Sequence, residues 1–211
     1  MGIEQVLDMK KIPRRIELGS ECALLLVDGF LGEAEADRAF AALRREIRFE
    51  QKTIRLFGRE VLQPRLSAWH GDPNAVYTYS GATNHPLAWT PALRELRGRV
   101  EATSGAAFNA VLVNFYRDGA DAMGMHSDDE AELGPAPLVA SVSLGARRRF
   151  VLRHRKQKSD RVTVELGHGS LLVMLPPTQR WYKHGVPREA RAGERLNLTF
   201  RHVGLAPGAE R

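Results

Sequence analysis

Two histidines and an aspartate have the types and the spacing to hold one metal ion. His126 and Asp128 are separated by one residue, so both side chains lie on the same face of an extended chain. His184 supplies a candidate second imidazole from another strand. Two histidines with one carboxylate are typical of catalytic non-haem iron sites, because they leave coordination positions open. A structural zinc site or a cupin-type metal site uses the same side chains, and an H-x-D pair also occurs by chance.

The segment Arg195–Arg201 alternates strictly between polar and apolar residues, which predicts a strand. If its polar face turns inward, two guanidinium groups are buried, which is costly unless an anion pairs with them. A dicarboxylate ligand would be such a partner, because arginine binds carboxylates bidentately. If the face turns outward, both arginines lie in water. Alternation alone does not show whether the polar face is buried or exposed. Asn114 and Tyr116 share a face of an earlier strand and could bind the same small acid. The polar face of the segment consists of Arg195, Asn197, Thr199 and Arg201.

Together these residues resemble the AlkB family of Fe(II)/2-oxoglutarate dioxygenases. The resemblance extends from about Thr53 to His202, and the second histidine precedes the first arginine of the closing strand by eleven residues, as in the family. Further matches indicate the DNA-repair branch of the family: Pro64-Arg65, Tyr77-Thr-Tyr-Ser-Gly81, Phe108-Asn109 and Ser141-Val-Ser-Leu-Gly145.

The resemblance implies the cofactors and the reaction. Fe(II) would be bound by His126, Asp128 and His184. The cosubstrate 2-oxoglutarate would chelate the iron and extend its far carboxylate to Arg195, with Arg201 near the other carboxylate. With O2, the enzyme would hydroxylate the N-methyl group of 1-methyladenine or 3-methylcytosine in DNA and release formaldehyde. Further hydrogen bonds to the cosubstrate would come from Asn114, Tyr116 and Asn197.

The same resemblance implies a pocket for a base that is flipped out of the duplex. Tyr79 would stack on the base opposite the ring of His126, although the repair branch carries phenylalanine at this position. Phe57, in the predicted hairpin Thr53–Leu62, would fill the space that the base leaves in the stack. Tyr77 and Glu130 would contact the polar edge of the base, and the other predicted substrate contacts are Arg65, Trp69 and Ser80.

The formal net charge of +6 is concentrated in one segment. Residues Arg147–Arg161 include eight basic residues and one acidic residue, and the rest of the chain is close to neutral. A local basic patch attracts phosphates, although a solvated hairpin that only aids solubility would have the same composition. The resemblance places a DNA-contacting hairpin here and favours phosphate contacts by Arg147, Arg149, Arg153 and Arg155.

Two other functions stay open on the sequence: the same oxidation on RNA or another substrate, and a non-catalytic DNA-binding module. No segment reaches the ~20 apolar residues of a membrane span, and no apolar signal-peptide region follows Met1. The single cysteine, Cys22, fits a reducing compartment and a buried position. We therefore expect a monomeric cytoplasmic protein without a membrane partner, acting on single- or double-stranded alkylated DNA.

The elements that position these residues are predicted to form an α+β, mainly β fold. Apolar spacing predicts helices at 33–49 and 86–104, and short β-like runs follow after Gly105. This order predicts a double-stranded β-helix, or jelly roll, with N-terminal helices covering one sheet. We expect one compact unit: an arm, strand and helix at 1–50, a nucleotide-recognition hairpin, loop and helix at 51–105, the dioxygenase core at 106–204 and a frayed tail at 205–211.

Overall fold

The computed structural model describes residues 12–56, 59–79 and 82–204 of the chain. In these residues, alternating or continuous apolar runs form strands and the 3.6-residue patterns form helices. The helices are α1 (Glu33–Glu46), α2 (Pro91–Ser104) and α3 (Thr178–Trp181), and a single 3-10 turn covers Ala131–Leu133. The strands are β1 (Arg14–Glu17), β2 (Ala23–Val27), β3 (Thr53–Leu56), β4 (Arg59–Leu62), β5 (Leu66–Gly71), β6 (Tyr77–Tyr79), β7 (Ala82–Asn84), β8 (Ala110–Tyr116), β9 (Met123–His126), β10 (Val139–Gly145), β11 (Arg148–His154), β12 (Arg161–Leu166), β13 (Ser170–Met174), β14 (Tyr182–Val186) and β15 (Arg195–Arg201).

Two antiparallel sheets form the body of the protein. The major sheet has the order β1-β2-β13-β10-β15-β8-β5, and the minor sheet has the order β12-β11-β14-β9. Apolar side chains from both sheets form one core cluster, which includes Tyr116, Phe150, Leu152, Leu172 and Tyr182. Strands adjacent in a sheet are mostly distant in sequence, as in a jelly roll. The predicted mainly β jelly roll is therefore confirmed.

The two long helices cover the opposite face of the major sheet. Leu43 of α1 and Leu93 of α2 are fully buried in a second core cluster with Val142 and Leu198 of the sheet. Helix α2 begins later than predicted, because Thr90 caps it by accepting a hydrogen bond from the Leu93 N–H. It ends as predicted, before a glycine in the left-handed conformation.

Four strands, β1, β5, β7 and β9, lie where the sequence did not predict them. β1 is a charged edge strand in the segment predicted to be a loose arm, and β5 lies in the predicted loop after residue 64. β9 is four residues long and contains a glycine. The sequence of β5 does not predict a strand, because it is buried along most of its length and so lacks a polar–apolar alternation. The predicted division into segments at 50, 105 and 204 stays a prediction.

The structure bears on two further expectations, the burial of Cys22 and the lack of a membrane-spanning segment. Cys22 is fully buried, as predicted for a small apolar side chain. Among the described residues, no helix combines the length and the apolar character that crossing a membrane requires.

Candidate active site

The His126–Asp129 loop, which starts at the last residue of β9, and strand β14 bring the predicted triad together. His126 pairs with His184 of the neighbouring strand β14 across the minor sheet. Asp128 follows His126 by two residues, and its carboxyl group is buried between the sheets. The candidate ligand atoms of His126, Asp128 and His184 all lie within 4.8 Å of one another. A sequence spacing of 58 residues is therefore closed by one strand pairing.

The hydrogen bonds leave the donor atoms of this cluster available to a cation. The Nδ1–H of His126 donates to the Gly124 carbonyl at 2.9 Å, which leaves the Nε2 lone pair directed towards Asp128 at 4.0 Å. The Nε2 atom of His184 lies 3.7 Å from Asp128 Oδ2. That oxygen is buried and has no hydrogen-bond partner among the described residues. Since a buried carboxylate oxygen needs a partner, the donor set fits a divalent metal ion.

The electrostatics hold these groups in the protonation states of metal ligands. Burial raises the pKa of Asp128, but the Arg201 guanidinium and the two imidazoles outweigh it and lower the pKa to about 2. Burial, reinforced by the neighbouring His126, lowers the pKa of His184 to about 3. The pKa of His126 is also lowered by burial. A carboxylate and two neutral imidazoles are the forms that bind metals.

Strand β15 places both predicted arginines between the sheets. All seven of its residues are buried, so its polar face points inward. Arg201 donates to Asp128 Oδ1 at 2.7 Å and thereby orients the carboxylate. Arg195 donates to the Ser143 hydroxyl at 2.9 Å, and its guanidinium lies 5.1 Å from the centre of the Tyr116 ring. The inward alternative of the sequence analysis is the one the protein adopts.

Arg195 is a buried cation that forms no ion pair with any described residue. Only 1% of the residue is exposed, and its Nε and Nη1 atoms have no hydrogen-bond partner in the described part of the chain. Burial lowers its pKa, and the Tyr116 phenol opposes this shift. An unpaired buried guanidinium with two free donors fits a carboxylate ligand, which would accept two parallel hydrogen bonds. The donor set therefore fits a dicarboxylate cosubstrate.

Two of the other predicted cosubstrate residues, Asn114 and Asn197, already have hydrogen-bond partners. Asn197 donates to the Ser141 hydroxyl at 2.6 Å, and Asn114 accepts from the Arg65 Nε at 2.8 Å. Tyr116 and Asn197 line the cavity between the sheets together with His126, His184 and Arg201. Arg65 is buried and donates to Asn114, and its predicted contact with the substrate stays a prediction.

Three further polar residues of the site, which were not predicted from the sequence, hold the predicted ones in place. Ser141 and Ser143 alternate on β10 and bind Asn197 and Arg195 on the adjacent strand β15. Their S-V-S spacing is a period-2 signal that could have predicted this face. Gln179 of α3 accepts the backbone N–H of Asp128 at 3.1 Å. No pattern in the sequence indicates this bond, because it depends on how α3 packs beside the loop.

Comparison with known proteins agrees with this geometry. The model of the 2OG-Fe(II) oxygenase superfamily matches residues 23–201. The chain is 42% identical over 183 residues to mouse DNA oxidative demethylase ALKBH2, covering 82% of this chain and 77% of the relative. It is 41% identical to the human protein of that name, covering 89% and 75%, and 40% identical to bovine alpha-ketoglutarate-dependent dioxygenase alkB homolog 3, covering 84% and 65%.

The chain belongs to the AlkB family of 2OG-Fe(II) oxygenases. Its cofactors are therefore Fe(II), 2-oxoglutarate and O2, as predicted. Two solved structures share the fold at low sequence identity. OsALKBH1 superimposes with a TM-score of 0.63 at 20% identity over 90% of this chain and 99% of that chain. An oxidoreductase of the 2OG-Fe(II) oxygenase family from Burkholderia pseudomallei gives 0.58 at 16% identity over 87% of each.

The basic segment of this AlkB-family protein divides into residues with different surroundings. Arg147 binds Glu165 at 2.9 Å, and Arg149 binds Glu189 at 3.2 Å. Arg153 is exposed on the outer face of the minor sheet. Arg155 turns away from that face towards the His126–Asp129 loop.

Arg148, which the sequence analysis counted in the basic segment, is not a surface residue. It lies on the inner face of β11 and is 1% exposed. Its guanidinium donates to the backbone carbonyls of Asp118, Asp121 and Pro187. Because side chains alternate along a strand, an arginine between two exposed arginines points into the protein. This residue therefore supports the loop before β9 and does not contribute to an exposed basic patch.

A row of three cations crosses the outer face of the minor sheet. Arg153 on β11 pairs directly with Arg161 on β12 and with Lys183 on β14. All three are exposed, and none has an ion-pair partner among the residues described. Cβ atoms of directly opposed residues lie about 4.5–5.5 Å apart, and like charges at that distance destabilise a sheet. Such a row fits a surface that binds a polyanion.

The predicted base-contacting residues are placed only in part. Trp69 lies on strand β5, not in a loop, and its buried indole donates to the Ala75 carbonyl at 3.1 Å. Tyr77 and Tyr79 are the first and last residues of β6, and their side chains lie outside the description. Glu130 is half-buried and directly follows the His126–Asp129 loop. The predictions for Phe57 and Ser80 lie outside the described residues.

Proposed function

We propose that the protein repairs alkylated DNA by removing the N-methyl groups of 1-methyladenine and 3-methylcytosine, with release of formaldehyde. The relatives named DNA oxidative demethylase ALKBH2 support this reaction, because they match most of the chain at about 40% identity. The observation that carries the choice of a nucleic-acid substrate is the unpaired row of Arg153, Arg161 and Lys183. A small-molecule substrate would give this row no partner.

Each side chain of the site has a role in this proposal. His126, Asp128 and His184 would hold Fe(II), which with 2-oxoglutarate and O2 supplies the oxidation of the methyl group. Arg201 keeps the Asp128 carboxylate ionised and oriented. Arg195 receives the far carboxylate of 2-oxoglutarate. Met123, Phe150 and Met174 supply an apolar part of the cavity wall, which strengthens these charge interactions.

The row of cations would contact the phosphate backbone from the outer face of the minor sheet. Lys183 and His184 are neighbours on β14, with the lysine exposed and the histidine buried. Backbone contacts position a nucleic acid without reading its sequence. We propose that Tyr77, Tyr79 and Glu130 recognise the flipped base and that Phe57 fills the space it leaves in the duplex, as the family resemblance implies. The protein would act as a monomer, which light scattering tests, and its cytoplasmic localisation stays a prediction.

The test is a mass measurement on methylated oligonucleotides. Protein, Fe(II), 2-oxoglutarate and air are incubated with single-stranded DNA, double-stranded DNA or RNA that carries 1-methyladenine or 3-methylcytosine. We expect loss of one methyl mass from DNA and stoichiometric formaldehyde, and no loss with Asp128→Ala. Unchanged DNA mass would contradict the proposal, and demethylation of RNA alone would replace DNA by RNA as the substrate.

A further inference from the structure

Arg155 makes three contacts that a phosphate-binding side chain would not need. It directly follows β11 in the basic segment, but its Nη2 contacts the Ser127 hydroxyl and the Asp129 carboxylate. The same nitrogen donates to the Gln179 carbonyl at 3.3 Å. Its backbone N–H donates to the Trp181 carbonyl at 2.8 Å. These contacts fix the guanidinium between helix α3 and the His126–Asp129 loop.

The residues that Arg155 contacts flank the candidate metal ligands on both sides. Ser127 lies between His126 and Asp128 in the chain, and it is 7% exposed. Asp129 follows Asp128 directly. Gln179, whose carbonyl accepts from Arg155, also accepts the Asp128 N–H through its side chain. Arg155 and Gln179 together therefore restrain the backbone on which the ligands lie.

The charge pattern of this loop explains why it needs such a restraint. Asp128, Asp129 and Glu130 place three carboxyl groups on consecutive residues. Arg201 compensates the charge of Asp128 from inside the protein. Arg155 compensates the charge of Asp129 from outside. Without Arg155, like charges would repel one another next to a ligand whose position must be held within a fraction of an ångström.

Arg153 provides a natural contrast on the same hairpin. It lies two residues earlier, is exposed, and faces Arg161 and Lys183, not the loop. Two arginines of similar sequence context thus have different surroundings, one in the row of cations and one beside the loop.

We propose that Arg155 is a positioning residue for the metal centre: it holds the His126–Asp129 loop, and thereby the geometry of the metal ligands. The inference rests on the proposed function only for its metal site and not for its substrate. Residues that support metal ligands from outside the coordination shell change metal affinity by about 10- to 100-fold when they are substituted. Because Arg155 acts through neighbours of the ligands, we expect a loss near the lower end of that range.

The test measures metal binding directly, without DNA. The apoprotein is titrated with Co(II) under anaerobic conditions and followed by its visible absorption spectrum. For Arg155→Ala we expect about tenfold weaker binding and an altered band shape. Arg155→Lys, which keeps the charge, should recover part of the affinity. Asp129→Asn weakens the contact with Arg155 but also removes one of the three neighbouring negative charges, so it should lose less affinity than Arg155→Ala.

Arg153→Ala is the matched control. It should bind Co(II) with wild-type affinity and spectrum, and bind methylated DNA more weakly. Co(II) affinity of Arg155→Ala within twofold of the wild type would overturn the proposal, with circular dichroism of the apoproteins confirming that each variant is folded. Failure of the demethylation assay together with weaker Co(II) binding by Arg155→Ala would refute the proposed substrate and leave this inference standing.

Discussion

Arg195 is the residue whose substitution tests the cosubstrate site most directly. The substitution Arg195→Ala removes two free guanidinium donors from a buried position. Truncation of one partner in a buried, hydrogen-bonded charge pair costs about 2–5 kcal/mol. We expect about 2–4 kcal/mol, because the Ser143 and Tyr116 hydroxyls stay in place beside the bound carboxylate. At about 1.4 kcal/mol for each factor of ten, 2-oxoglutarate should bind about 30- to 700-fold more weakly.

The assay is an anaerobic calorimetric titration of the Mn(II)-loaded protein with 2-oxoglutarate and with pyruvate. Pyruvate has the same 2-oxo acid group but lacks the far carboxylate. In the wild type, 2-oxoglutarate should bind far more tightly than pyruvate. In the variant that difference should disappear, while the affinity for pyruvate stays unchanged. Arg195→Met, which keeps more of the side-chain volume, controls for a cavity at this position.

A variant that is folded and binds 2-oxoglutarate within threefold of the wild type would refute the placement of the cosubstrate. Equal losses for 2-oxoglutarate and pyruvate would also refute it, because the effect would then not come from the far carboxylate.

Three further predictions concern stability. The apoprotein should lose stability as pH falls from about 6.5 towards 3, because unfolding lets His126 and His184 bind protons that burial disfavours in the folded protein. His184 contributes at most about 1.4 kcal/mol per pH unit; urea midpoints with a chelator present measure this, and His184→Gln should reduce the slope. Arg148→Met should cost about 1–3 kcal/mol, since it leaves the buried Asp121 carbonyl without this donor and removes part-buried hydrogen bonds to Asp118 and Pro187, whereas the exposed Arg147→Met should cost under about 1 kcal/mol; equal urea midpoints would contradict this. Gly145→Ala should lower the melting temperature, because φ is +87° and a Cβ would lie 2.4 Å from the Glu194 carbonyl oxygen, and an unchanged melting curve would show that this turn relaxes freely.

The H-x-D pair and the two arginines could be predicted from the sequence because their signals are local, whereas His184 was assigned as a ligand by the family resemblance. The H-x-D spacing places two ligands on one face, and strict alternation places Arg195 and Arg201 together. That the polar face of this strand is buried was not predictable, because it depends on the position of β15 between β10 and β8 in the middle of the major sheet.

The basic segment shows the limit of composition as a guide. Eight cations in one stretch predicted a surface, but strand alternation turns Arg148 inward. Arg155 lies beyond the end of β11, so strand alternation does not determine where its side chain points, as it does for Arg153. The direction of the Arg155 side chain depends on contacts with α3. Charge counts cannot distinguish these cases, since each depends on packing against an element distant in the chain.

Lys183 and His184 place a cation on the outer face of the minor sheet and a candidate metal ligand on its inner face. Successive side chains of β14 project to opposite sides, so one layer of main chain separates the outward ammonium group from the inward imidazole. The ladder with β11 fixes both residues at once, and no hinge or linker lies between them. A polyanion bound on the outer face would therefore lie at a fixed distance from the buried metal site, separated from it by one strand.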